Sequence, residues 1–205
     1  MDEALKVPRD RLGGALGMAV PLLFLFAEVL LAGAVKFEQK LIRQARGEAG
    51  PAAVVEFTVG DAVYRSLDTP EWKWTTDAMG FDAAALGPGS GTAVIGVRVE
   101  RLNDADGKVI GHMGPAARAT LRKKWDAEVA SGSVTILSWE GAPEAEEVIV
   151  RYRRVEEGRD LEGYERGFFG EGQFITLGML ADPRQLGPVQ SMFARFNGSF
   201  VKVER

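Results

Sequence analysis

The chain has 205 residues, of which 26% are charged and 46% hydrophobic, and its formal net charge is -4. This balance excludes a disordered polymer and removes the general electrostatic reason to expect nucleic acid as a partner. Cysteine is absent, which excludes disulfides, thiolate metal sites and a cysteine nucleophile, and the single histidine, His112, excludes any site built on two imidazoles.

Residues 1–11, MDEALKVPRDR, read as a short polar tail. The next 24 residues, Leu12 to Val35, carry one charge, Glu28. At the helical rise this run covers the hydrocarbon core of a bilayer, so it reads as a single-pass transmembrane helix. Ala32-Gly33-Ala34 has the form of a signal cleavage site, but the apolar run is longer than a signal h-region, which favours a retained anchor. On the helical wheel Gly17 and Pro21 lie about 20° to either side of Glu28, with Ala32 beside them. Gly13 and Gly17 add a G-x-x-x-G spacing that lets a second helix approach closely. A carboxyl inside a bilayer costs a few kcal/mol unless it meets a partner, so Gly13, Gly17, Pro21, Glu28 and Ala32 form the predicted helix-packing face. Lys6, Arg9 and Arg11 on one flank balance Lys36, Lys40, Arg43 and Arg46 on the other. Charge therefore leaves orientation open, and the common behaviour of such anchors puts the C-terminal domain outside the cytoplasm.

Residues 36–50 read as a juxtamembrane continuation of the helix over Phe37 to Arg46, followed by a linker. Lys40, Arg43 and Arg46 are its candidate contacts to lipid phosphate. The period then changes to that of strands. AVVEFTV (53–59) and AVYRSL (62–67) form a predicted hairpin around Gly60-Asp61. Trp72 and Trp74 follow on one face, either resting on a membrane or partner surface or packed over the sheet. FDAAALGPGSG (81–91) reads as a loop by composition. TAVIGVRVERL (92–102) and KVIGHM (108–113) suggest a long hairpin turning through NDADG, which lacks the carboxylate ladder of a calcium loop.

Gly114-Pro115 opens the main helix, PAARATLRKKWDAEVAS, with Ala117, Leu121, Trp125 and Val129 expected on the sheet and Arg118, Arg122, Lys123 and Lys124 as a basic flank. SVTILSWE, EEVIVRYRRVE and QFITLGML read as strands, GRDLEGYERGFFGEG (158–172) as a mobile or partner-facing loop, and MFARFNGSFVKVE as a hairpin around Asn197-Gly198. NDADGKV followed by GPAA, together with GEGQFITLGML, is similar to the domain carried by certain membrane-anchored E3 ubiquitin ligases and their prokaryotic relatives. These residues contain neither a RING segment nor a second apolar span.

The fold class expected is a single N-terminal transmembrane helix followed by a mostly antiparallel β (α+β) soluble domain, residues 51–205, with one main helix. No G-x-S-x-G, P-loop, dinucleotide fingerprint or H-E-x-x-H occurs, so no catalytic, cofactor or metal residues are assigned. The function expected is that of a non-catalytic accessory subunit of a bacterial membrane complex, respiratory or photosynthetic in type. Its partners are other membrane-protein subunits and lipid. The alternative is a stand-alone membrane-anchored binding or sensor module.

Overall fold

The computed structural model describes residues 36–40, 54–69, 71–88, 92–142 and 144–204, and the first of these by backbone alone. The predicted membrane span, with Gly13, Gly17, Pro21, Glu28 and Ala32, lies outside the described residues, as do Arg43 and Arg46. Among the described residues no helix is long and apolar enough to cross a membrane.

Two antiparallel sheets make the domain. The larger runs β4 (Lys73–Ala78), β5 (Phe81–Leu86), β6 (Ala93–Glu100), β12 (Gln173–Ala181), β11 (Arg159–Gly170), β10 (Glu147–Glu156) and β9 (Val134–Glu140), in that spatial order. The smaller runs β1 (Lys36–Lys40), β2 (Val54–Val59), β3 (Ala62–Leu67) and β13 (Val201–Lys202). A two-stranded ribbon, β7 (Leu102–Asn103) with β8 (Val109–Ile110), stands apart from both. Among the described residues two α-helices complete the fold: α1 (Pro115–Ala130) and α2 (Leu186–Ser199).

The alternation of side chains along each strand assigns the layers. On one face of the large sheet Ile95, Val97, Ile175, Leu177 and Met179 pack against Val55, Phe57 and Val59 of the small sheet and Val189, Phe193 and Phe196 of α2. On the other face Val148, Val150, Tyr152, Leu161 and Phe174 pack against Ala117 and Leu121 of α1. The central strand β12 is buried along almost its whole length, which explains a sequence that is apolar but for Gln173 at its start and the buried Thr176.

Several expectations hold. Val54–Val59 and Ala62–Leu67 form the hairpin, with Gly60 at a φ of +58° in its turn. The NDADG turn is closed by Asp104, whose Oδ1 accepts the N–H groups of Asp106 and Lys108. The main helix spans Pro115 to Ala130 with proline in its first turn. The mostly antiparallel β domain is present, with a second helix besides the one expected.

Other expectations are corrected. Lys36–Lys40 is a strand paired antiparallel to β2, not a helix. The open edge of β2 offers a row of unpaired backbone groups, and pairing with it outweighs a modest helical propensity. β6 does not fold back on the segment after NDADG. It is buried on both faces and pairs with β5 and β12, leaving only the two-residue ribbon for the expected hairpin. Phe81–Leu86 is a strand, with Ala83, Ala84 and Ala85 fully buried between layers. The 159–170 segment is the longest strand in the domain rather than a loop. The stretch around Asn197-Gly198 is helical, because Val189, Phe193 and Phe196 recur at helical spacing and share one buried face.

Val129 is 40% exposed although Ala117 and Leu121 on the same helix are buried. Each four-residue step advances 400° around the helix, so from Ala117 to Val129 the stripe rotates by about 120° and leaves the sheet.

Glycine placement explains the misread strand. Tyr152 lies directly opposite Gly163 in the register of β10 and β11, and a Cβ there would sit 2.2 Å from the ring. At Gly167 a Cβ would sit 2.2 Å from Phe174. Gly96 and Gly178 pair across β6 and β12 beneath the ring of Phe81. These glycines are seats for aromatic rings in the middle of a sheet, which is a packing role that loop composition mimics.

Candidate functional site

Two places in the domain concentrate polar chemistry. The first lies on the face of the large sheet that carries α1. Arg98 Nη2 donates to Glu165 Oε2 at 2.8 Å, and the Tyr152 hydroxyl donates to Glu165 Oε1 at 3.2 Å. Glu100 accepts from Lys124 Nζ of α1 at 2.7 and 2.8 Å. The chain of contacts ties the helix to three strands. Burial pushes the Tyr152 hydroxyl well above its ordinary pKa, and the Glu165 carboxylate beside it adds to the shift. Burial alone would lower Arg98, but the carboxylates of Glu165 and Glu100 outweigh it and raise the guanidinium. The group is a neutralised structural cluster: its one hydroxyl is held protonated and its one buried carboxylate is bonded on both oxygens.

The second place is an open groove of about 430 Å³ between α2 and strands β9 to β12. The small sheet and α2 do not cover this end of the large sheet. Tyr164, Met179, Leu186 and Phe193 supply the apolar wall, with Tyr164 edge-on to Phe193 at a ring separation of 5.3 Å. Arg151, Glu140 and Glu162 line the polar side. Glu162 accepts from Arg153 at 3.0 Å. Burial raises the Tyr164 hydroxyl above its ordinary range, with Glu140 and Glu147 adding to the effect. Leu137, at the rim, is 45% exposed. The groove can accept an apolar group with a polar end; it contains no nucleophile held against a base.

The basic flank expected on α1 is largely engaged within the domain. Arg118 donates to the carbonyls of Gly141 and Ala145, Arg122 bonds Asp126 and lies over the Trp139 ring at 5.5 Å, and Lys124 bonds Glu100. Sequence reading could not separate this from a partner surface, because the acceptors of Arg118 and Lys124 come from loops and strands remote in the chain.

Trp72 and Trp74 are half-buried and pack against the core shared by the two sheets. The Trp74 indole donates to Asp68 Oδ1 at 2.9 Å, and its ring meets Phe57 at 5.3 Å and Phe196 at 5.7 Å. Lys40 lies at the end of β1. His112 is exposed after the β7/β8 ribbon. Among the described residues no group of three or more His, Asp or Glu side chains is placed to hold a metal ion. The groove was not foreseen. Its only sequence signal was the alternation of Ile149, Arg151, Arg153 and Val155, which marks the uncovered face of β10.

No family model matches the chain, and no curated protein sequence does. Among solved structures the fold is similar to the solution structure of cyanobacterial PsbP (CyanoP) from Synechocystis sp. PCC 6803, with a TM-score of 0.51 at 14% identity. The match covers 78% of this chain and 98% of that one. The likeness is one of fold.

Proposed function

We propose that the chain is a non-catalytic, single-pass accessory subunit of a larger membrane protein complex, respiratory or photosynthetic in type. Leu12 to Val35 packs against partner helices and the β domain docks beside them. The observation that carries this reading is the face of Gly13, Gly17, Pro21, Glu28 and Ala32 on an otherwise apolar 24-residue run. A lone acid among small residues suits a helix that packs against protein better than one that faces lipid alone. The sandwich shared with cyanobacterial PsbP is in keeping with a role of this kind. A Glu28→Leu substitution tests it: the variant is expected in the membrane fraction as before, with reduced recovery of co-purifying proteins in mild detergent. Unchanged recovery would return the segment to a plain anchor.

The groove beside α2 favours a second reading, a membrane-anchored binding module. Its volume falls in the range of about 300 to 1,000 Å³ typical of small-ligand sites. Chemical-shift changes at Tyr164 and Phe193 on titration with small amphiphilic carboxylates, abolished by Arg151→Ala, would support it. An unresponsive groove would remove it.

A further inference from the structure

Beneath α1, Arg98 of β6, Thr176 of β12 and Gly167 of β11 form a row across the sheet in direct register. Above them Leu121, Lys124 and Trp125 of the helix line a small, partly open cavity of about 20 Å³. A site needs about 10 to 15 Å³ to hold one water, so this space admits one and excludes any organic ligand. Two residues that line it each bury a polar atom with no protein hydrogen-bond partner: Arg98 through Nε and Thr176 through Oγ1. Thr176 is only 2% exposed. Glu100 also lines the space, and its Oε1 lies 3.7 Å from Arg98 Nε. That separation is too long for a direct N–H···O bond and is the kind that solvent bridges.

We propose that this cavity binds a single ordered water molecule, which accepts from Arg98 Nε–H and bonds Glu100 and the Thr176 hydroxyl. Three partners match the usual valence of a buried water. The surrounding charges argue against an ion. An anion would lie beside the carboxylates of Glu100 and Glu165, and a cation beside Arg98 and Lys124. The water completes a polar path from α1 to the sheet, running Lys124, Glu100, water, Arg98, Glu165 and Tyr152. The helix is thereby seated on hydrogen bonds as well as on Leu121 and Ala117.

The test uses the full chain in detergent with ¹⁵N-labelled arginine. Arg98 Hε is expected to show a cross-relaxation peak with water of the sign given by a long-lived site, and the peak is expected to persist in Thr176→Val, because Arg98 and Glu100 remain. Two results would overturn the proposal. One is a wild-type protein without the peak. The other is loss of the peak in Thr176→Val, which would identify it as relay through the hydroxyl. A crystal structure with Arg98 Nε bonded directly to Glu100 and no solvent peak between them would be equally decisive.

Discussion

Gly163→Ala places one methyl group against a closely packed, buried ring. The added Cβ would lie 2.2 Å from Tyr152 Cζ and 2.5 and 2.6 Å from its ring edge atoms. Tyr152 is 2% exposed, its ring contacts Trp125 of α1 at a separation of 4.9 Å, and its hydroxyl donates to Glu165. The ring has no free direction in which to yield: moving away from Gly163 drives it into α1 and breaks the bond to Glu165. Overpacking of a core costs about 1 to 3 kcal/mol, and a lost hydrogen bond to a charged group about 1.5 to 3 kcal/mol. Part of each is recovered by relaxation, so a destabilisation of about 2 to 4 kcal/mol is expected. For a domain of this size that corresponds to a fall in Tm of about 5 to 15 °C. Thermal and urea unfolding followed by circular dichroism reads it. Gly187→Ala in α2 is the matched control, since a Cβ there has no atom within 4 Å. It is expected to be neutral or to gain about 0.5 kcal/mol from reduced backbone freedom. A Gly163→Ala protein within about 0.5 kcal/mol of wild type would refute the assignment of this glycine as a ring seat.

Further perturbations follow from the same structure. Glu165→Ala removes the acceptor of both Arg98 and Tyr152, and is expected to cost about 3 kcal/mol because it takes from a largely buried guanidinium its direct carboxylate hydrogen bond and leaves only the longer contact to Glu100; a loss below about 1 kcal/mol in urea unfolding would contradict that. Ser199→Ala removes the acceptor of Leu67 N–H and the partner of Ser66 at the end of α2. About 1 to 2 kcal/mol is expected, and a neutral variant would show that α2 is held by its aromatic face alone. Asp182 accepts from the Arg184 side chain and backbone N–H, which lower its pKa to about 2. Its folded value lies below the unfolded one, so its contribution is present above the ordinary carboxylate range and lost as pH falls towards 2. Carboxyl ¹³C shifts should show this midpoint, and Arg184→Ala should return it towards the ordinary range; a wild-type midpoint already there would contradict the pairing.

Where local pattern and tertiary demand agreed, the sequence was a sufficient guide. The Gly60-Asp61 hairpin, the NDADG turn, α1 from its proline onwards and the mostly apolar β12 were all legible, because turn chemistry, proline placement and burial point the same way. Two of the misread segments share one physical cause. Gly163, Gly167 and the Ala83 to Ala85 run are small because rings and neighbouring layers occupy the space their side chains would fill, and a single chain does not reveal what lies above a residue. Asn197-Gly198 carries ideal turn chemistry, yet the buried stripe of Val189, Phe193 and Phe196 decides for helix. The polar cluster was invisible for a related reason, since Arg98, Tyr152 and Glu165 are far apart in sequence and meet only through strand order.

The central proposal concerns assembly, and the native mass of the protein recovered from its host cells in mild detergent tests it most directly. An accessory subunit is expected to run with other proteins at a mass far above its own 22.2 kDa. Migration as a monomer with no co-purifying protein would contradict the account.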